Sequence, residues 1–295
     1  MRVLIITGDH SFKPGHPRYE LQKSAVDELA AVYWGRGSLR PPIPQGRWDV
    51  VTVQDPFVRG LFAWRAARRL GARFNVQVHT DLSSQPFFNH VLAQVTLRHA
   101  DSVRVVSEKI KTQVERMRTR AKISVLPVYV DIGRFKNTAR VPHAQKTILW
   151  LGRFEEEKDP LYALEVLRQV RESIDAKLVM LGAGGLASEL KRRAEGLPVE
   201  FPGWQDPAPF CAQADAVLCT SRHESWGASI VEALAAGVPV VASDIGVAKD
   251  AGAVIAPRGG LAGAVVEVLR SGAAGTLRLR VLSKEEWARA WVHAL

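Results

Sequence analysis

Short apolar runs recur along this chain, and between them lie longer stretches whose apolar residues fall three or four apart. In the first half the runs are Val3 to Ile6, Ala31 to Tyr33, Val50 to Val53, Asn75 to Val78, Ser102 to Val106 and Ile123 to Leu126. In the second half they lie near 147–151, 177–181, 199–201, 216–219, 238–241 and 253–256. Such runs predict strands buried on both faces. Their alternation with helical patterns predicts parallel sheets covered by helices, in two domains. The Pro-rich stretch Leu39 to Pro44 reads as a loop. Polar Lys136 to Lys146 is the expected linker, which gives a first domain over 1–140 and a second over 141–283. In the last helix, Lys284 to Ala294, Trp287 and Trp291 share one face. They predict either an ordinary buried stripe or a closing helix packed back on the first domain.

The most informative segment is Ser221 to Leu234, where the apolar strand Ala216 to Cys219 turns into a helix with Glu224 and Glu232 eight residues apart. If both were helical, they would lie about 12 Å apart along the axis. Glycosidase carboxyl pairs flank one bond at roughly 5 to 9.5 Å, so this spacing points instead to an elongated ligand gripped at two places. Between the carboxylates, past Gly227, the helix start offers the N–H groups of Ala228, Ser229 and Ile230 to an anion. An anion flanked by two hydroxyl-binding carboxylates describes a sugar, a diphosphate and a ribose. The segment sits at the carboxyl edge of a parallel sheet, where open α/β folds bind ligands. A second strand-to-helix loop, Gly152 to Pro160, presents Arg153 and Lys158 at the same edge, suited to neutralising a diphosphate leaving group. Alternatively, Lys158 pairs with Glu155 or Glu156 on a solvated face.

These motifs resemble the retaining glycosyltransferases of family 4, through most of residues 100–257. The resemblance rests on Gly152-Arg153 followed by Lys158, on Glu224-x7-Glu232, and on the run from Glu232 to Ser243. Ile123 to Asp131 with Phe135 is also similar to the family's interdomain strand and loop. The resemblance implies a GT-B architecture, two Rossmann-like domains facing across a cleft, with the amino-terminal domain reduced in this short chain. It implies that Arg153 and Lys158 bind the donor diphosphate, Glu224 a hydroxyl of the donor sugar and Glu232 the ribose. It makes His79, at the end of the strand Asn75 to Val78, the active-site histidine beside the transferred sugar. Taken alone, a histidine there is an ordinary structural hydrogen-bonder. The chain departs from the family pattern at Thr7 to His16, at Val247 to Asp250, and at Tyr129, where the family tends to have glycine.

Charge refines the picture. Residues 1–140 hold 23 Lys+Arg against 11 Asp+Glu, whereas residues 141–295 hold 17 against 19, so the net +10 resides in the first domain. Arg104 to Lys122 contains seven basic residues and reads as a strand followed by an amphipathic helix. Such a face suits an anionic membrane surface, or is simply solvated. Nucleic acid is not expected, because no recognised binding pattern accompanies the charge. Val3 to Ile6 is too short for a signal core, and Cys211 and Cys219 lack metal spacing. The chain therefore reads as cytoplasmic, peripheral on the inner membrane face where it meets lipid. No metal cofactor is expected, since there is no Asp-x-Asp and the diphosphate already has cations and a helix N-terminus.

The expected function is retaining transfer from a UDP- or GDP-sugar to an acceptor hydroxyl, on a glycan or a lipid-linked glycan. Two other classes stay open. One is a GT-B-like protein that binds nucleotide sugars or glycans without transfer. The other is an NAD-dependent oxidoreductase, because Gly182-Ala183-Gly184-Gly185-Leu186-Ala187 follows a strand and fits G-x-G-x-x-A, with Glu200 further on. In the glycosyltransferase reading, Gly182 and Gly184 bring backbone close to the nucleotide.

Overall fold

The computed structural model describes residues 1–35, 41–136 and 145–295. The chain forms two compact units, Met1–Tyr129 with Leu282–Leu295, and Val130–Val281. The first boundary thus falls after Tyr129, while most of the expected linker lies outside the described residues.

The first unit is built on β1 (Arg2–Thr7), β2 (Glu28–Tyr33), β3 (Val50–Val53), β4 (Arg73–Val78), β5 (Ser102–Val105) and β6 (Lys122–Val125). These pair in parallel in the order β2-β1-β3-β4-β5-β6. Val3 to Ile6 and Val50 to Val53 are fully enclosed, the continuous apolar pattern of a strand covered on both faces. The closing helix Lys284–Ala294 starts with a capping box, in which Ser283 and Glu286 each accept from the other's backbone N–H. It packs on this unit: Trp287 and Trp291 are buried in its core, and the Trp287 indole N–H donates to Pro127 O at 2.8 Å. The last carbonyls are tied to the sheet, Ala294 O by Asn75 Nδ2 at 2.8 Å and Leu295 O by Ser102 Oγ at 2.7 Å.

The second unit carries β7 (Lys146–Leu151), β8 (Ala176–Leu181), β9 (Val199–Gly203), β10 (Ala216–Cys219), β11 (Val240–Ala242) and β12 (Val254–Ile255). Their order is β12-β11-β10-β7-β8-β9, again all parallel. Pro202 is tolerated in β9 because that strand lies at the sheet edge. The chain reverses direction across the sheet between β7 and β10, so the loops after those two strands open at the switch point where α/β folds place ligands. The helices Pro160–Arg171 and Leu261–Ser271 cover one face and bury Leu164, Leu167, Val265 and Leu269 against Ile148, Leu178 and Leu218.

Candidate active site

The loops after β7 and β10 are sewn together before any functional side chain is placed. Thr220 Oγ1 donates to the carbonyls of Lys158 and Asp159 (3.0 and 2.9 Å) and accepts from the Trp150 indole at 2.9 Å. Arg222 N donates to Glu157 O at 2.9 Å. Asp159 is buried in the left-handed region with φ 47°, and its Oδ2 accepts from Arg222 Nε at 2.9 Å and Arg258 at 2.5 Å. The following proline explains part of this geometry, because it bars Asp159 from the helical region. Left-handed backbone costs a non-glycine residue about 1–2 kcal/mol. Asp159→Gly, which relieves that cost, should therefore be more stable than Asp159→Ala by about 1 kcal/mol in denaturant titration. Equal midpoints would remove backbone strain from the account.

On this scaffold a pocket of about 430 Å³ is lined by Gly152, Arg153, Lys158, Trp204, Glu224, Ala228, Ser229 and Glu232, among others. Six of the residues expected from the sequence thus meet in one cavity beside Gly152. Lys158 Nζ reaches Glu224 Oε1 at 2.5 Å, an ion pair with side chains 19% and 9% exposed. Ser221 Oγ donates to the same oxygen at 2.9 Å. Lys158 is therefore turned inward, away from Glu155 and Glu156. Arg153 is mostly exposed at the rim and pairs with Glu157.

The helix Ala228–Ala235 follows Gly227, whose φ of 104° suits glycine. Among the described residues the amides of Ala228 and Ser229 have no hydrogen-bond partner, so both can meet an anion. Ile230 is different. Its side chain is enclosed and its amide already donates to Gly227 O at 3.1 Å, closing the first turn instead of facing the pocket. The Glu232 carboxyl, one turn further, makes no hydrogen bond among the described residues. Burial, with Asp206 nearby, pushes its carboxyl up to about 7 against the partial offset of Arg134. Gly246 supports the Glu224 loop from behind. A Cβ there would meet Trp226 O at 2.3 Å, so the turn keeps its glycine although the loop departs from the family pattern.

The glycine turn after β8 serves the protein itself. A Cβ on Gly182 would lie 1.8 Å from Gly152 O, and one on Gly184 would lie 2.7 Å from Phe154 O. Both glycines let this turn pack against the Gly152–Glu155 backbone, and neither lines the pocket. The Gly185 amide, which a dinucleotide phosphate would require, already donates to Glu155 Oε1 at 3.0 Å.

His79 belongs to the first unit. It directly follows β4, beside a buried polar ladder in which Gln77 Nε2 donates to Thr52 at 2.9 Å and Arg104 donates to Gln77 Oε1 at 2.6 Å. Burial, with the charges of Arg104 and Arg18, lowers the imidazole pKa to about 3, so the ring is neutral at physiological pH. Arg104 is itself enclosed. It donates to Leu126 O and Pro127 O (3.0 and 2.8 Å) and lies 5.1 Å from the Trp287 ring centre, so it is no part of an exposed basic face.

Sequence reasoning overlooked Thr220, Ser221 and Asp159, which position Lys158 and Glu224. The Asp-Pro step at 159–160 signals unusual backbone at Asp159 alone, and nothing local marks Thr220 or Ser221.

Two parallel six-stranded sheets, with a pocket at one switch point that gathers two cations, two carboxylates and two unpaired amides, define a Rossmann-like protein. Residues 145–271 match the sequence profile of the glycosyl transferases group 1, and residues 13–128 match that of the glycosyl transferase 4-like domain. The chain belongs to this glycosyltransferase family. It is 29% identical over 230 residues to the GDP-mannose-dependent alpha-(1-6)-phosphatidylinositol dimannoside mannosyltransferase of Mycobacterium tuberculosis, covering 70% of this chain and 60% of that protein. It is 25% identical over 263 residues to the alpha-monoglucosyldiacylglycerol synthase of Streptococcus pneumoniae, covering 76% and 60%. The chain spans about 60% of the length of these curated relatives. Among solved structures, HepE of Anabaena in complex with UDP and glucose superposes with a TM-score of 0.73 at 15% identity, over 100% of this chain and 94% of that one. The fold class is thus GT-B, as the resemblance implied.

Proposed function

We propose that the chain moves a sugar, with retention, from a UDP- or GDP-sugar to an acceptor hydroxyl. The observation that carries this reading is the single pocket in which Arg153, Lys158, the Ala228 and Ser229 amides, Glu224 and Glu232 converge. As the anomeric bond breaks, negative charge grows on the diphosphate, and the two cations with the two amides stabilise that charge more than they stabilise the bound donor. Glu224 trades its Lys158 contact for a sugar hydroxyl, which frees the ammonium for the phosphate. Glu232 accepts from the ribose hydroxyls, and exposed Trp204 at the rim offers a stacking surface to the base. In this reading the leaving group's charge is met by side chains and amides, without a resident metal.

The acceptor is a lipid-linked or envelope glycan. In support, both relatives' names specify a lipid, phosphatidylinositol dimannoside in one and monoglucosyldiacylglycerol in the other. No helix among the described residues is long and apolar enough to cross a membrane. The protein acts as a cytoplasmic enzyme, peripheral on the inner membrane face.

A thermal-shift panel of UDP, GDP, ADP and NAD tests the donor site. One nucleoside diphosphate should raise the melting temperature, and Arg153→Ala should remove most of that rise, since ligand stabilisation scales with the logarithm of affinity. Stabilisation by NAD alone, unchanged by the mutation, would overturn the reading. Binding without release of nucleoside diphosphate, across acceptors, would reduce the protein to a binder.

A further inference from the structure

The helix Phe87–Arg98 is apolar on the side that faces water. Its inner face buries Ala93, Thr96 and Leu97. Its outer face carries Phe87, Phe88, Val91 and Val95, which are 83%, 66%, 42% and 39% exposed. At about 100° per residue these four fall within an arc of roughly 100°, where a surface helix ordinarily places polar residues. Scattered exposed apolar residues are common, but two adjacent phenylalanines and two valines on one helical arc mark a contact surface.

The surroundings are basic. From Val58 to Ala100 the chain has six arginines and a single acid, Asp81. That acid is enclosed, accepting from Ser83 and Gln113 and pairing with Lys109, so it presents no negative charge to a partner. The helix Val58–Leu70 packs beside Phe87–Arg98 and exposes Arg65, Arg68 and Arg69. Trp64 joins the two helices. It stacks on His99 with centroids 3.9 Å apart, while the Arg65 and Arg68 guanidiniums lie 5.9 and 5.8 Å from its ring. Arg98, one turn beyond Val95, continues the outer arc.

We propose that this face docks on an anionic lipid bilayer, with Phe87, Phe88, Val91 and Val95 entering the interfacial layer and Arg65, Arg68, Arg69 and Arg98 meeting anionic head groups. An apolar strip beside cations without acids has the composition of an interfacial helix. A second copy of the chain is a poorer occupant, because it would bring the same arginines against one another. The face differs from the 104–122 segment, where Arg104 is buried. Lipid docking here does not depend on the proposed transfer activity.

The test is co-sedimentation of the full chain with phosphatidylcholine vesicles, with and without roughly 30% phosphatidylglycerol. Binding should require the anionic lipid and weaken as salt rises. Phe87→Ser with Phe88→Ser should lower partitioning about tenfold or more, and Arg65→Gln with Arg68→Gln and Arg69→Gln should do likewise. Exposed sites should leave the melting temperature within a degree or two, and a collapse in either variant would be replaced by Phe87→Ala alone. Equal partitioning of wild type and the phenylalanine variant would overturn the proposal. So would absence of vesicle binding with self-association that this variant abolishes.

Discussion

Lys158→Ala is expected to lower turnover at saturating donor by about a hundredfold or more, as loss of one preorganised donor to a developing anion does. The magnitude follows from where the ammonium is held. Its main chain is pinned by Thr220, its Nζ lies 2.5 Å from Glu224, and both side chains are largely withdrawn from water. Once Glu224 has turned to the sugar hydroxyl, the ammonium, still anchored through its main chain by Thr220, is free to meet the charge that builds on the diphosphate. The same substitution leaves Glu224 with Ser221 as its one remaining neighbour in that contact, and a buried carboxylate without its cation destabilises the fold. Stability and turnover must therefore be measured separately. A melting temperature that falls while turnover per folded molecule stays within threefold of wild type would reduce Lys158 to a structural partner. Lys158→Arg keeps the charge and should recover stability before it recovers turnover, because a planar guanidinium cannot reproduce a point charge at this position.

The fold was legible in the sequence because parallel strands covered on both faces are nearly continuous apolar runs, and all twelve runs lie on observed strands. The strand ends were less so: β2 begins at Glu28, ahead of the apolar run, because pairing with β1 extends it. The site was legible as residue types beside strand ends. What the sequence hid were its partnerships, which are contacts between residues far apart in the chain. Lys158 pairs across 66 residues with Glu224, while Glu155, its apparent local partner, caps the Gly185 amide instead. Arg104 counted as surface charge until its bonds to Gln77, Leu126 and Pro127 placed it inside. The glycine turn at Gly182 matched a dinucleotide pattern because close backbone packing and close phosphate approach both exclude a Cβ.

Glu232→Gln is expected to stabilise the free protein and to impair its use of the donor. The wild-type carboxyl has a folded-state pKa of about 7 against an ordinary 4.5. Below pH 4.5 it is protonated whether the chain is folded or not, so the substitution has little effect there. As pH rises from 4.5 towards 7, the unfolded chain ionises first and the folded chain binds more protons, so stability falls with pH. Above pH 7 the carboxylate is charged in both states and the full penalty is present, about 2 kcal/mol after discounting a half-buried group for solvent screening. Glutamine removes this penalty, so the variant should melt higher than wild type at pH 8 and nearly level with it at pH 4. In the donor complex, ribose hydroxyls would supply the hydrogen bonds that the carboxylate lacks among the described residues. Nucleoside diphosphate affinity in wild type should then strengthen between pH 6 and 8, and the variant should lose that pH dependence together with about tenfold in donor KM. A higher melting temperature with an unchanged donor KM would keep Glu232 as a strained buried acid and move the ribose contact elsewhere. A glutamine variant that melts higher yet uses the donor less well would mark Glu232 as a residue held for its ligand and not for the fold.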